Sequence, residues 1–167
     1  MAGVSIYGAG QLGTGVATIL RGRGDHEVMG PFTRADRDRA LRSGADVVVI
    51  ATTTRLADVA ADIRAAVEAG SNVLVSAEEC ANPYLVDPQV AGDLHTSAIE
   101  AGVTILGAGL NPGLVFDALV LTILSAFPDD VDILVSRTVD LSAFGSTVLR
   151  RIGVDLTSAE FSAGTAD

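Results

Sequence analysis

Six residues near the start of the chain, Gly8-Ala9-Gly10-Gln11-Leu12-Gly13, limit what it can fold into more than any other stretch. They follow the apolar run Val4–Tyr7, which reads as a strand. They lead into Gln11 to about Arg21, where Leu12, Val16, Ile19 and Leu20 recur at helical spacing. Between a strand and a helix, the G-x-G-x-x-G pattern has a mechanical reading. The first glycine permits the tight turn, the second lets a pyrophosphate approach the backbone, and the third lets helix and strand pack closely. The helix start adds unpaired N–H groups and a partial positive charge for phosphates. The expectation is a Rossmann-type dinucleotide-binding domain, with Gly8, Gly10, Gln11, Leu12 and Gly13 against the cofactor's phosphates.

The rest of the chain alternates in the same way. Glu27–Gly30 reads as a short second strand, Asp36–Leu41 as a brief helix, and Asp46–Ile50 as a strand buried on both faces, since Val47-Val48-Val49-Ile50 shows no polar alternation. Leu56, Val59, Ile63 and Val67 form a helical stripe stopped by Gly70, before a strand at Asn72–Val75. Asp87-Pro88 pairs an N-cap with proline at the first helical position, and Gly102 closes that helix. Val103–Leu106 is a further strand, and Asn111-Pro112 starts another helix by the same rule, with Asn111 as its cap. Strands and helices joined by short loops imply right-handed crossovers and an α/β, doubly wound parallel sheet. About fifteen residues separate the second strand from Asp46, so one helix–strand element of an ordinary half is shortened or absent. The character changes after Phe127-Pro128-Asp129-Asp130. Val131–Val139 alternates as a long strand of a second sheet would, and Thr157-Ser158-Ala159-Glu160 is a capping-box pattern. We therefore expect a dinucleotide-binding domain over 1–127 and, over 128–167, the start of a truncated second domain for substrate or oligomerisation.

Cofactor choice turns on the end of the second strand. An NAD-specific domain usually places Asp or Glu there to accept from the ribose 2′-hydroxyl. This chain has Phe32-Thr33-Arg34-Ala35-Asp36-Arg37. Arg34 can fork onto a 2′-phosphate, Thr33 can add a hydroxyl, and Arg37 lies one turn further along the same face. NADP(H) is thus favoured over NAD(H). Arg39 reads as a solvated helix charge. Thr52-Thr53-Thr54, after the third strand, serve equally as hydroxyl donors to the cofactor, through Thr52 and Thr53, or as ordinary turn residues.

The formal charge of −10 argues against nucleic acid or an anionic membrane as partner. The most apolar stretch, Leu114–Phe127, is interrupted by Asp117 and too short to span a bilayer. The chain enters a strand at once, without room for a signal peptide, and its single cysteine, Cys80, suits a reducing compartment; a soluble cytoplasmic protein is expected. The carboxylates beside Cys80 should raise its pKa and keep the thiol inert. His26 and His95 have no visible partner, and no spacing of His, Cys and Asp suggests a metal site.

Three later segments carry a family resemblance. Ser76-Ala77-Glu78-Glu79-Cys80 follows a strand, and Gly107-Ala108-Gly109-Leu110-Asn111-Pro112-Gly113 follows the next and leads into a helix with Phe116-Asp117. Beyond it comes Arg137-Thr138-Val139-Asp140-Leu141-Ser142. Together these resemble the 2,4-diaminopentanoate dehydrogenase and native amine dehydrogenase family, which is related to the dihydrodipicolinate reductase N-terminal domain. The resemblance implies reduction of an imine by nicotinamide hydride, or the reverse deamination. It implies that Glu78 or Glu79 positions ammonia or the amine, and that Asn111, Pro112 and Gly113 lie beside the nicotinamide. The expected partner is a small amine or carbonyl/imine substrate.

The residues agree with that chemistry. Ligands gather outside the carboxyl edge of a parallel sheet, and a carboxylate there can hold an amine by a charge-assisted bond. Adjacent glutamates in a strand point oppositely, so one of the two should face the site. The first reading is an NADP(H)-dependent oxidoreductase acting on a C=N or CH–NH2 group. Its rivals are a non-catalytic NADP(H)-binding module or sensor, and a dihydrodipicolinate- or semialdehyde-type reductase. Leu114–Phe127 and Val131–Val135 are apolar surfaces expected to bury in a homodimer.

Overall fold

The computed structural model describes residues 1–127 and 131–164. Contacts divide the chain into two compact units, Met1–Asp130 and Val131–Asp167.

The first unit is built on five parallel strands: β1 (Ala2–Tyr7), β2 (His26–Phe32), β3 (Val47–Ile50), β4 (Asn72–Val75) and β5 (Ile105–Gly107). Their order is β2-β1-β3-β4-β5. The chain winds outward from β1 in one direction to β2 and in the other through β3 to β5. β1 is therefore the point where the winding reverses, and a crevice opens there at the carboxyl ends of the strands. The helices of this unit are α1 (Gln11–Arg23), α2 (Arg37–Leu41), α3 (Leu56–Glu68), α4 (Pro83–Val86), α5 (Pro88–Ala101) and α6 (Leu119–Leu124).

The period-two alternation of the strands sorts the core onto two faces. Val4, Ile6 and Val49 pack with Ala17 of α1 on one side. Tyr7, Val48, Ile50, Val73 and Val75 pack on the other with Leu41 of α2, Leu56, Val59, Ile63 and Val67 of α3, and Leu94 of α5. The stripe at 56, 59, 63 and 67 is thus the buried face of α3. Gly70, at φ +79°, lies just past that helix's end. Asp87 accepts from the amides of Gln89 and Val90 at 3.0 Å each, and Gly102 closes α5 in the left-handed conformation, as the sequence predicts. The trimmed segment after β2 forms a 3-10 turn, Arg34–Asp36, and the five-residue α2. The buried Ser5 hydroxyl holds α2 to β1 by donating to Ala40 O at 2.7 Å, which satisfies a group that burial would otherwise penalise.

The structure departs from the sequence reading in four places. β2 runs two residues past Gly30, through Pro31 to Phe32; a strand at the sheet edge leaves one side of its backbone unpaired, so proline is tolerated. The helix α4 has no counterpart in the periodicity, because its four residues are too few to show one. Asn111 is not a helix cap. It is extended at φ −160°, Pro112 is extended too, and Gly113 has φ +129°, so the helical conformation begins only after them.

The fourth departure lies in the second unit. Val131–Val139 forms no strand. An alternating segment becomes a strand only when a neighbour takes its N–H and C=O groups, and none does so among the described residues. Leu141–Ala143 is a 3-10 turn, followed by α7 (Ser146–Arg151) and α8 (Ser158–Ser162). The capping box of α8 is present: Thr157 Oγ1 accepts from the Glu160 amide while the Glu160 carboxylate accepts from the Thr157 amide at 2.8 Å. That carboxyl is held below its ordinary pKa by the Thr157 hydroxyl and amide.

Candidate functional site at the carboxyl edge of the sheet

The loop between β1 and α1 shows a separate reason for each glycine. Gly8 has φ +125°, and a Cβ there would stand 2.1 Å from Ala51 O. A Cβ on Gly13 would stand 1.8 Å from Gly8 O. Both positions are closed by the protein itself. At Gly10, which precedes the first turn of α1, a Cβ would meet nothing within 4 Å. No side chain caps α1, so the amides at its start face outward beside Gly10, with Gln11 and Leu12 exposed. This is an open, positively polarised cradle for an anion.

At the end of β2, Thr33 and Arg34 are exposed. Phe32 O accepts from the Gly8 amide at 3.0 Å, which brings this turn beside the glycine loop. The Thr33 hydroxyl donates to Asp36 Oδ2 at 2.9 Å. Arg37 is engaged by α3. Its Nε donates to Asp62 Oδ1 on α3 at 2.6 Å, and its Nη2 donates to Ala61 O at 3.3 Å. Asp62 is nearly buried, so an unpaired carboxylate there would be costly, and the guanidinium compensates it. The sequence groups Arg37 with Arg34; in the structure its guanidinium is also engaged by an acid 25 residues away. Tyr7, one residue before the loop, has its phenol pKa raised by burial and by the Asp62 carboxylate. Arg39 is not merely solvated, because its guanidinium lies 5.3 Å from the Phe32 ring centroid.

Beyond β3, the Thr52 hydroxyl is buried without a hydrogen-bond partner among the described residues. A buried hydroxyl of this kind is an unmet demand that a ligand atom can satisfy. Thr53 donates to Asp58 at 3.3 Å. Beyond β4, Glu78–Ala81 is a 3-10 turn and not a strand, so the two glutamates do not simply point to opposite faces. Glu78 is exposed and Glu79 half-buried. Glu79 Oε2 accepts from the amide of Leu56, the first residue of α3, at 2.7 Å. The Cys80 thiol between this turn and the core is pushed from 9.0 up to about 11, by burial first and the Glu79 charge second. The rise in thiol pKa expected from sequence is found, with burial as the larger cause.

Beyond β5, the Gly113 amide donates to Asp117 Oδ2 at 2.7 Å, which ties the Asn111-Pro112-Gly113 turn to the helical residues after it. In the sequence Asp117 reads only as a break in an apolar run. The contact is an i to i+4 pairing outside the standard capping pattern. Asn111 is exposed, with Pro112 and Gly113 half-buried. The glycine loop, Thr33-Arg34, Thr52-Thr53, Glu78-Glu79 and Asn111–Gly113 thus all follow the carboxyl ends of successive strands along one edge.

Sequence comparison converges on one group. The chain is 35% identical over 166 residues to 2,4-diaminopentanoate dehydrogenase of Acetoanaerobium sticklandii. The family described as the 2,4-diaminopentanoate dehydrogenase C-terminal domain matches residues 114–167. The chain is similar to 2,4-diaminopentanoate dehydrogenase over nearly its whole length. The alignment covers 98% of the chain and 46% of the Acetoanaerobium dehydrogenase, so the chain spans less than half of that relative's length. The solved amine dehydrogenase from Mycobacterium smegmatis superposes with a TM-score of 0.56 at 23% identity, over 65% of this chain and 39% of that one. The likeness to that structure concerns the fold, an α/β domain on a parallel sheet. Among the described residues no helix is long and apolar enough to cross a membrane.

Proposed function

We propose that the chain binds a nicotinamide dinucleotide, NADP(H) in preference to NAD(H), and belongs to an oxidoreductase acting on a C=N or CH–NH2 group. One observation supports this above all. Gly10 faces open space at the start of α1, where no atom of the protein obstructs a side chain. A pyrophosphate supplies a reason for glycine there. The orphaned Thr52 hydroxyl fits the same ligand.

In this reading the amides at Gly10, Gln11, Leu12 and Gly13 hold the pyrophosphate. Arg34 pairs with the 2′-phosphate, with Thr33 shaping its turn. Thr52 and Thr53 border the ribose and phosphates, and the Asn111-Pro112-Gly113 turn borders the nicotinamide end. The nicotinamide, when bound, supplies or accepts the hydride. A carboxylate of the Glu78–Glu79 turn holds the amine nitrogen by a charge-assisted bond and so orients the carbon beside it. The amine class rests on relationship to 2,4-diaminopentanoate dehydrogenase. The whole protein acts as a homodimer through the apolar residues that α6 exposes. A dihydrodipicolinate- or semialdehyde-type reductase would share the dinucleotide cradle, but no observation at the edge favours it.

The test is a fluorescence titration of the chain and of Arg34→Ala with NADPH and NADH. We expect NADPH to bind the tighter, and Arg34→Ala to abolish that preference while leaving NADH binding within about twofold. A chain that binds neither nucleotide refutes the proposal, and a preference that survives Arg34→Ala removes the 2′-phosphate assignment.

A further inference from the structure

The two adjacent glutamates after β4 invite the same assignment, yet their surroundings separate them. Glu79 reaches back across the edge of the sheet. Its Oε2 accepts from the Leu56 amide at 2.7 Å, and its own amide donates to Thr54 O at 3.2 Å. These two bonds clasp the turn after β4 to the loop Thr52–Arg55 after β3. Arg55 stands at the cap position of α3 and makes no side-chain capping bond, so the cap for that helix arrives from 23 residues away. A carboxylate suits the place, because the start of a helix carries orphan N–H groups and partial positive charge. The half-burial of Glu79 keeps the contact out of bulk water, which strengthens it. Glu78 follows the same strand but is exposed at the edge.

We propose that Glu79 is a positioning residue, clasping the Thr52–Thr54 loop to the Glu78 turn by capping α3, and that Glu78 is the carboxylate that meets the amine. The assignment to Glu78 rests on the proposed function above; the clasp rests on geometry alone. The clasp gives the edge a mechanical link. The loop with the orphaned Thr52 hydroxyl and the turn with the exposed carboxylate are held in one register by the backbone amide and the side chain of one residue. A nitrogen held by one and a dinucleotide bordered by the other then keep a fixed separation, which hydride transfer demands.

A capping role and an amine-binding role respond differently to glutamine. A glutamine side chain in place of Glu79 would still present an oxygen to the Leu56 amide but would carry no negative charge for an ammonium. The experiment uses the full chain and the variants Glu79→Ala and Glu79→Gln. The first readout is amide hydrogen exchange at Leu56 without nucleotide, and the second is the NADPH titration. We expect Glu79→Ala to speed Leu56 exchange by about fivefold or more and to weaken NADPH binding about fivefold, the scale of a lost helix cap. Glu79→Gln should restore both to within about twofold. Where amine turnover is measurable, Glu78→Gln should raise the KM for the amine at least about tenfold, while Glu79→Gln leaves it within about twofold.

Unchanged Leu56 exchange in Glu79→Ala overturns the clasp. A Glu79→Gln variant with Leu56 protection intact but the amine KM raised overturns the division of roles and makes Glu79 the amine's partner. If the wild-type chain binds no nucleotide, the proposed function fails, and Leu56 exchange still decides the clasp.

Discussion

The three glycines of the first loop should separate into two that the fold requires and one that the ligand requires. An Ala Cβ at position 13 would stand 1.8 Å from Gly8 O, about half an ordinary non-bonded separation. The obstacle is backbone, so the start of α1 would have to move off β1; overpacking of this kind costs about 1–3 kcal/mol or more. At position 8 the Cβ would stand 2.1 Å from Ala51 O, and φ +125° adds about 1–3 kcal/mol for a residue with a side chain. In a chain of this size each kcal/mol lowers Tm by about 2–4 °C. Gly13→Ala should therefore melt roughly 2–12 °C below the wild type, and Gly8→Ala roughly 4–24 °C below it. Gly10→Ala meets no atom. A poorer cap costs it about 0.5–1 kcal/mol, and the stiffer unfolded chain returns about 0.4–1 kcal/mol, so its Tm should stay within about 2 °C. NADPH at a hundred times its Kd stabilises the wild type by about 2.7 kcal/mol, or roughly 5–10 °C. Gly10→Ala should lose that rise, since the new methyl occupies the side from which the pyrophosphate approaches. Thermal unfolding of all four proteins with and without NADPH is the assay. A Gly10→Ala that melts with Gly13→Ala refutes the geometric account, and one that keeps the full NADPH-induced rise refutes the cradle.

Two further outcomes follow from the described geometry. Burial and the Glu79 charge hold the folded Cys80 thiol near 11 against an ordinary 9.0, so the folded state keeps its proton more tightly than the unfolded one. Stability from this source is complete below pH 9 and declines as pH rises toward 11. Chemical denaturation from about pH 8 to 11 should show the decline, Cys80→Ala should make it shallower while the raised Tyr7 phenol keeps part of it above pH 10, and an unchanged slope in that variant would remove the cause assigned. The proposed homodimer predicts a sedimenting mass of two chains, and Leu121→Glu on α6, where the leucine is 67% exposed, should reduce it to one; a wild-type chain that sediments as one copy rejects the dimer.

What could be read in the sequence was local in origin. The stripe at Leu56, Val59, Ile63 and Val67, the Asp87 cap before Pro88 and the Thr157–Glu160 box each depend on residues within a few positions, and each is in the structure. The Asn111-Pro112 pair shows where such rules stop. Proline after asparagine suits a helix start, but Gly113 at φ +129° turns the chain first, and the Gly113 amide finds Asp117. Val131–Val139 has a strand's alternation without a neighbour to pair with among the described residues.

The site divides along the same line. Strand ends announce themselves, so the residues gathered at the carboxyl edge could be named from sequence. Which of them the protein draws back into its own scaffold could not. That distinction is set by partners 23 and 25 residues away, Leu56 for Glu79 and Asp62 for Arg37. Both partners lie on α3, whose first turn and buried face reach Glu79 on one side and α2 on the other. The position of α3 follows from its apolar stripe settling on β3 and β4. A hydrophobic pattern that carries no chemistry thus sets partners for one glutamate and one arginine of the edge. If the proposed function holds, the exposed Glu78 and Arg34 are the pair whose removal should be felt first by the amine and by the 2′-phosphate.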